Sequence, residues 1–79
     1  MKQEELYKTS DLAITSFLSL YFSVWAIEKD NSSKAEFLFK REQGLDELVE
    51  SFWRGEARVN PLAYFNALKL IKSRLYEER

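Results

Sequence analysis

"LAITSFLSLYFSVWAI", Leu12 to Ile27, runs sixteen residues between Asp11 and Glu28 without a formal charge. It has three readings: a membrane span, one long buried helix, or two elements joined without punctuation. A spanning helix needs about 20 apolar residues to cross roughly 30 Å of hydrocarbon. These sixteen residues would reach only about 24 Å at about 1.5 Å each. Four positions are hydroxyls: Thr15, Ser16, Ser19 and Ser23. A span is disfavoured.

The stretch changes character midway. Thr9-Ser10-Asp11 offers side-chain acceptors for the orphan N–H groups of a first helical turn. From there Ala13, Ile14, Phe17, Leu18, Leu20 and Tyr21 fall on one helical arc, with Thr15, Ser16 and Ser19 opposite. After Phe22, "SVWAIEK" reads as a strand, with Trp25 and Ile27 alternating against Ala26 and Glu28. Asp30–Ser33, "DNSS", is a turn cluster, and "KAEFLFK" is the return strand. Its Phe37 and Phe39 are expected on one face, with Glu36, Leu38 and Lys40 on the other. The pair predicts a β-hairpin.

Working outward, Gly44 precedes "LDELVESFWRG", where Leu45, Leu48, Val49, Phe52 and Trp53 match an amphipathic helix. Gly55 suits the left-handed position past a helix end. Asn60-Pro61 reads as an N-cap followed by proline at the first helical position. The last helix then directs Tyr64, Phe65, Leu68, Ile71 and Leu75 to the core. The expected fold is a small α+β domain in the order α-β-β-α-α, an antiparallel hairpin packed on helices. Residues 1–79 form one domain, with 1–8 flexible or loosely packed.

A chain of 79 residues buries only about 60–65% of its unfolded surface. Its stability must rest on dense aromatic packing or on a partner. Aromatics make up 15% of the chain. Cysteine is absent, which excludes disulfides and thiolate metal sites, and so is histidine, the commonest general base. No catalytic motif, calcium loop or glycine-rich phosphate loop occurs, so neither enzyme activity nor a cofactor or metal is expected. The net charge of −1 gives no general attraction to nucleic acid or an anionic membrane. "MKQEELYKTSD" lacks the build of a signal peptide, so a cytoplasmic location is expected.

Three pieces carry a family resemblance: "TSDL" at Thr9–Leu12, "FLF" at Phe37–Phe39, and "LVESFWRGEARVNPLAYFNALKLIKSRL" from Leu48 to Leu75. In order and spacing they resemble a family of small bacterial and phage domains, domain of unknown function 5659, over most of the chain. The resemblance implies a bacterial or phage setting and supports the element order, but no activity. Two positions depart from the pattern. Tyr21-Phe22 stands where a glycine is expected between the first helix and first strand, and Leu70 stands where a polar residue is usual.

Candidate sites follow from charge and surplus apolar surface. Asp46, Glu47 and Glu50, like Glu77-Glu78, read as solvated acids. Residues Glu42 to Glu56 hold five acids and one base, whereas Ala57 to Tyr76 hold four bases and no acid. Lys69, Lys72 and Arg74 are the candidate nucleic-acid contacts, disfavoured because Arg74 projects to a different flank. The plainer reading has Lys72 laying its stem over the core and pairing with Glu50 or a neighbour. Leu12, Thr15, Ser16, Ser19 and Leu70 are the candidate self-association residues, since small hydroxyls admit a second backbone and an uncharged face suits a subunit contact. The alternative is that the first helix is central and covered on both sides. Trp53, Arg54 and Arg58 are a candidate partner surface, although such a tryptophan more often closes the core. The expected function is a small, homodimeric, non-enzymatic protein–protein interaction module, with a nucleic-acid-associated protein as the alternative.

Overall fold

The structure, a computed structural model, describes residues 5–29 and 35–77. The element order is β1 (Leu6–Thr9), α1 (Leu12–Ser19), β2 (Ala26–Lys29), β3 (Ala35–Lys40), α2 (Leu45–Trp53) and α3 (Pro61–Glu77). The α+β class stands, and the expected order is corrected by one element: a strand precedes the first helix. The predicted "DNSS" turn lies outside the described residues.

The added strand changes the sheet. β3 lies in the middle of the order β1-β3-β2 and pairs antiparallel with both neighbours. Leu6 to Thr9 face Lys40 to Phe37 in register, so Leu6–Lys8 of the stretch expected to be loose is held by a ladder, while residues 1–4 lie outside the described residues. Arg41 fastens the same corner: its N–H donates to the Glu5 carbonyl at 3.2 Å. Its guanidinium meets the carboxylates of Glu5 and Asp46 and lies 5.5 Å from the Tyr7 ring centroid. These partners are solvent-exposed, so the ion pairs add little beyond placement.

A central strand explains "FLF". Phe37, Leu38 and Phe39 are all buried, where alternation assigned Leu38 to the polar face. Phe37 and Phe39 join the core with Ile14, Phe17, Leu18, Leu45 and Ile71. Leu38 lies outside that cluster, on the other face, flanked in register by Lys8 and Ala26.

α1 begins where its side-chain chemistry dictates. The Asp11 carboxylate accepts the Ala13 N–H at 2.7 Å and the Ile14 N–H at 3.4 Å. It ends after two turns, since the Tyr21 and Phe22 N–H groups both close on the Leu18 carbonyl at 2.9 and 2.8 Å. Leu20 stays right-handed through this closure, so the junction needs no glycine and Tyr21-Phe22 is accommodated. The uncharged run therefore breaks near Phe22, and no helix among the described residues is long and apolar enough to cross a membrane.

α1 lies between the other two helices, in contact with both. Thr15 and Ser16 are fully buried within the chain, not on a surface. Their hydroxyls donate to the Asp11 and Leu12 carbonyls, each at 2.8 Å, so neither is an unsatisfied group in the core. The face expected to meet a second copy is thus filled by the chain itself. Leu12 is half-buried against the core, and Ser19, also half-buried, donates to the Ser16 carbonyl.

α2 and α3 keep their predicted limits. Gly55 has φ of 75°, the left-handed geometry that closes α2. Asn60 caps α3 by accepting the Ala63 N–H at 3.0 Å, directly before Pro61. Of the core residues expected on α3, Ile71 is buried and Tyr64, Leu68 and Leu75 are half-buried, whereas Phe65 faces solvent. The Tyr64 hydroxyl donates to the Ala13 carbonyl at 3.0 Å and ties α3 to α1.

Candidate interaction surface

The residues at issue gather in three places. The first is the outward face of α3. Leu62, Phe65, Lys69, Lys72 and Tyr76 follow at steps of three and four, the spacing that keeps side chains on one side of a helix. Leu62, Phe65 and Tyr76 are 68%, 55% and 64% exposed. The Lys69 ammonium lies 5.3 Å from the Phe65 ring centroid, a cation–π contact that occupies a ring face. The stripe is apolar at both ends and cationic in the middle.

The second place is a groove of about 370 Å³ between α3 and the segment leaving α1. Leu20, Phe22, Val24, Leu70 and Ile71 supply its apolar lining, and Ser19, Ser23, Asn66 and Arg74 its polar lining. Leu70 is 63% exposed, as its displacement from the core face implies. Arg74 is half-buried, and no carboxylate among the described residues pairs with it. The predicted cationic trio is thereby divided: Lys69 and Lys72 share the outward face, and Arg74 belongs to the groove. The separate flank of Arg74 and the odd place of Leu70 are visible in the sequence, but no spacing in it joins them into one site. Leu20, Phe22 and Val24, which complete it, lie in an irregular connection that helix and strand periodicity does not describe.

The third place is the far end of α2. Trp53 is 62% exposed and stands edge-on to Phe52, ring centroids 5.1 Å apart, so it does not close the core. Arg54 pairs with Glu50 at 3.6 Å and Glu56 at 3.9 Å. The expected Lys72–Glu50 pair is not formed: Glu50 meets Arg54 one turn away, and Lys72 lies on the outward face of α3. Arg58 is exposed on the α2–α3 connection. Asp46, Glu47 and Glu50 line a shallow depression beside Arg54, and no acidic group among the described residues is arranged to hold a metal ion.

Two phenols are perturbed. Burial lifts the Tyr7 hydroxyl above the ordinary tyrosine range, and Asp11 adds to this. Hydrogen bonding with Thr9 and Trp53 and the Arg41 charge pull the other way. Partial burial and Asp11 raise Tyr64. Neither phenol lines the groove beside α3 or the depression at α2.

The arrangement defines a small three-stranded α+β domain with an exposed apolar–cationic helix and an adjoining groove. The chain belongs to the family described as Domain of unknown function (DUF5659), whose model matches residues 4–77. No curated protein and no solved structure matches the chain.

Proposed function

We infer that this is a small, non-enzymatic interaction module of the bacterial or phage cytoplasm that docks a protein through the outward face of α3. One observation carries the reading: α3 buries Ile71 while leaving Leu62 and Phe65, one turn apart on its outward face, largely in solvent. Singly exposed leucines are ordinary, but apolar residues repeated along one helix face mark a contact surface. Trp53, Arg54 and Arg58 extend the partner surface, with Trp53 as a rigid anchor.

Self-association moves with this reading from α1 to α3. The Lys69–Lys72 centre of the stripe repels its own counterpart in a face-to-face pair. Its complement on a second copy is the acidic side of α2 at Glu47, flanked by Asp46 and Glu50, which already meet Arg41 and Arg54. Light scattering across a concentration series tests this: the wild type should exceed its monomer mass of 9.4 kDa, and Phe65→Glu should not. A wild-type mass that stays monomeric at millimolar concentration removes self-association. Loss of a captured partner on Phe65→Glu, with the fold intact by circular dichroism, then tests docking of a different protein.

A further inference from the structure

We propose that the groove between α3 and the α1–β2 connection binds a peptide segment of a partner protein, a large apolar side chain followed closely by a carboxylate. This goes beyond the α3 docking face, because the groove lies on another flank of the helix and shares no residue with the stripe of Leu62, Phe65, Lys69, Lys72 and Tyr76. At about 370 Å³ it falls at the small end of the usual 300–1,000 Å³ for ligand sites.

Charge fixes the ligand's polar end. Arg74 is the one formal charge in the lining, and no described carboxylate neutralises it. A half-buried arginine in an otherwise uncharged, largely apolar lining favours a planar anion, and a carboxylate matches its fork. Leu20, Phe22, Val24 and Leu70 beside it remove an apolar side chain from water.

The remaining polar groups select a peptide over an alkyl carboxylate. Ser19 already donates to the Ser16 carbonyl, but the side chains of Ser23 and Asn66 make no hydrogen bond to other described residues. An alkyl chain laid over them would strip their water and return nothing, which is unfavourable. Backbone amides of an extended peptide can pair with both. A nucleic acid fits poorly, since one cation on an apolar floor lacks the repeated phosphate contacts such binding needs.

The test uses the full chain labelled with ¹⁵N and three amidated peptide probes. These are acetyl-Ala-Leu-Phe-Glu-Asp, its neutral counterpart ending Gln-Asn, and acetyl-Ala-Gly-Gly-Glu-Asp. The first should shift the amide signals of Ser23, Val24, Asn66, Leu70 and Arg74 and leave β1 unmoved. Arg74→Gln should weaken it about tenfold or more, and Arg74→Lys should restore part of that loss. Spectra of each variant away from the groove report whether it is folded. The proposal is overturned if the groove signals do not move at millimolar peptide, if the neutral peptide binds equally, or if octanoate binds more tightly. Running the titration on Phe65→Glu separates the two readings. That variant should lose self-association and keep the groove, so failure of one leaves the other measurable.

Discussion

α1 and α3 divide the work of this fold in opposite ways. α1 has eight residues, five of them buried, including Thr15 and Ser16. α3 has seventeen residues, of which Ile71 alone is fully buried, and it leaves leucine and phenylalanine outside. The residues that look polar are inside, and several that look apolar are outside. Position against the sheet decides this, since α1 is enclosed by the other helices while α3 touches the core along one edge. A hydroxyl can enter because it bonds to its own helix, and a leucine can stay out because nothing is left to cover it.

The sharpest break would come from matched truncations. Leu18 is fully buried in α1, and Leu18→Ala should cost about 2–5 kcal/mol. A domain of this length holds only about 4–12 kcal/mol in total, so that change alone can unfold it. Leu70→Ala should stay within about 0.5 kcal/mol. Urea denaturation of both gives the ratio, and comparable losses would mean that Leu70 is covered in the folded monomer.

Next in size is Ser16. Lengthening it to leucine forces extra methylenes into a filled space and should cost about 1–3 kcal/mol. Ser16→Ala removes the hydroxyl that donates to the Leu12 carbonyl and raises helix propensity, and should be nearly neutral. If Ser16→Leu were tolerated without a fall in Tm, the interior position of that face would be wrong.

The caps compare the helices on equal terms. Asp11 holds the Ala13 N–H at 2.7 Å, and Asn60 holds the Ala63 N–H at 3.0 Å. Asp11→Ala and Asn60→Ala should each cost about 1 kcal/mol. Such local chemistry was legible in the sequence, as were Gly55 and Pro61, because each signal lies within a few residues of its effect. β1 was not legible. Leu6-Tyr7-Lys8-Thr9 is short and charged, and it becomes a strand only by pairing with residues some thirty positions away. Yet its existence was written elsewhere: three consecutive buried positions, Phe37, Leu38 and Phe39, suit a central strand covered on both faces and not one half of a hairpin. The site was half legible for a similar reason. Leu70 and Arg74 stood out on α3, but the connection that completes their groove follows no period.

The smallest effect concerns the bond that joins the two helices, from the Tyr64 hydroxyl to the Ala13 carbonyl. Tyr64→Phe should cost about 0.5–1 kcal/mol near neutral pH, since that carbonyl keeps its place in the helical ladder. Its fuller signature is in alkali. The folded chain holds the Tyr64 proton more tightly than the unfolded chain, because partial burial and Asp11 raise its pKa. Stability should therefore be level below about pH 10 and fall as pH rises from there through the raised folded value. Tyr7, raised chiefly by burial, contributes in the same direction. Denaturation midpoints at pH 8 and above pH 10 (pH values set by the ordinary tyrosine pKa of about 10) should draw closer together in Tyr64→Phe than in the wild type. The drop that persists should shrink further when Tyr7→Phe is added. An unchanged alkaline loss in the double variant would show that the phenol joining α3 to α1 is as open to water folded as unfolded, and the helices would then be joined by apolar contact alone.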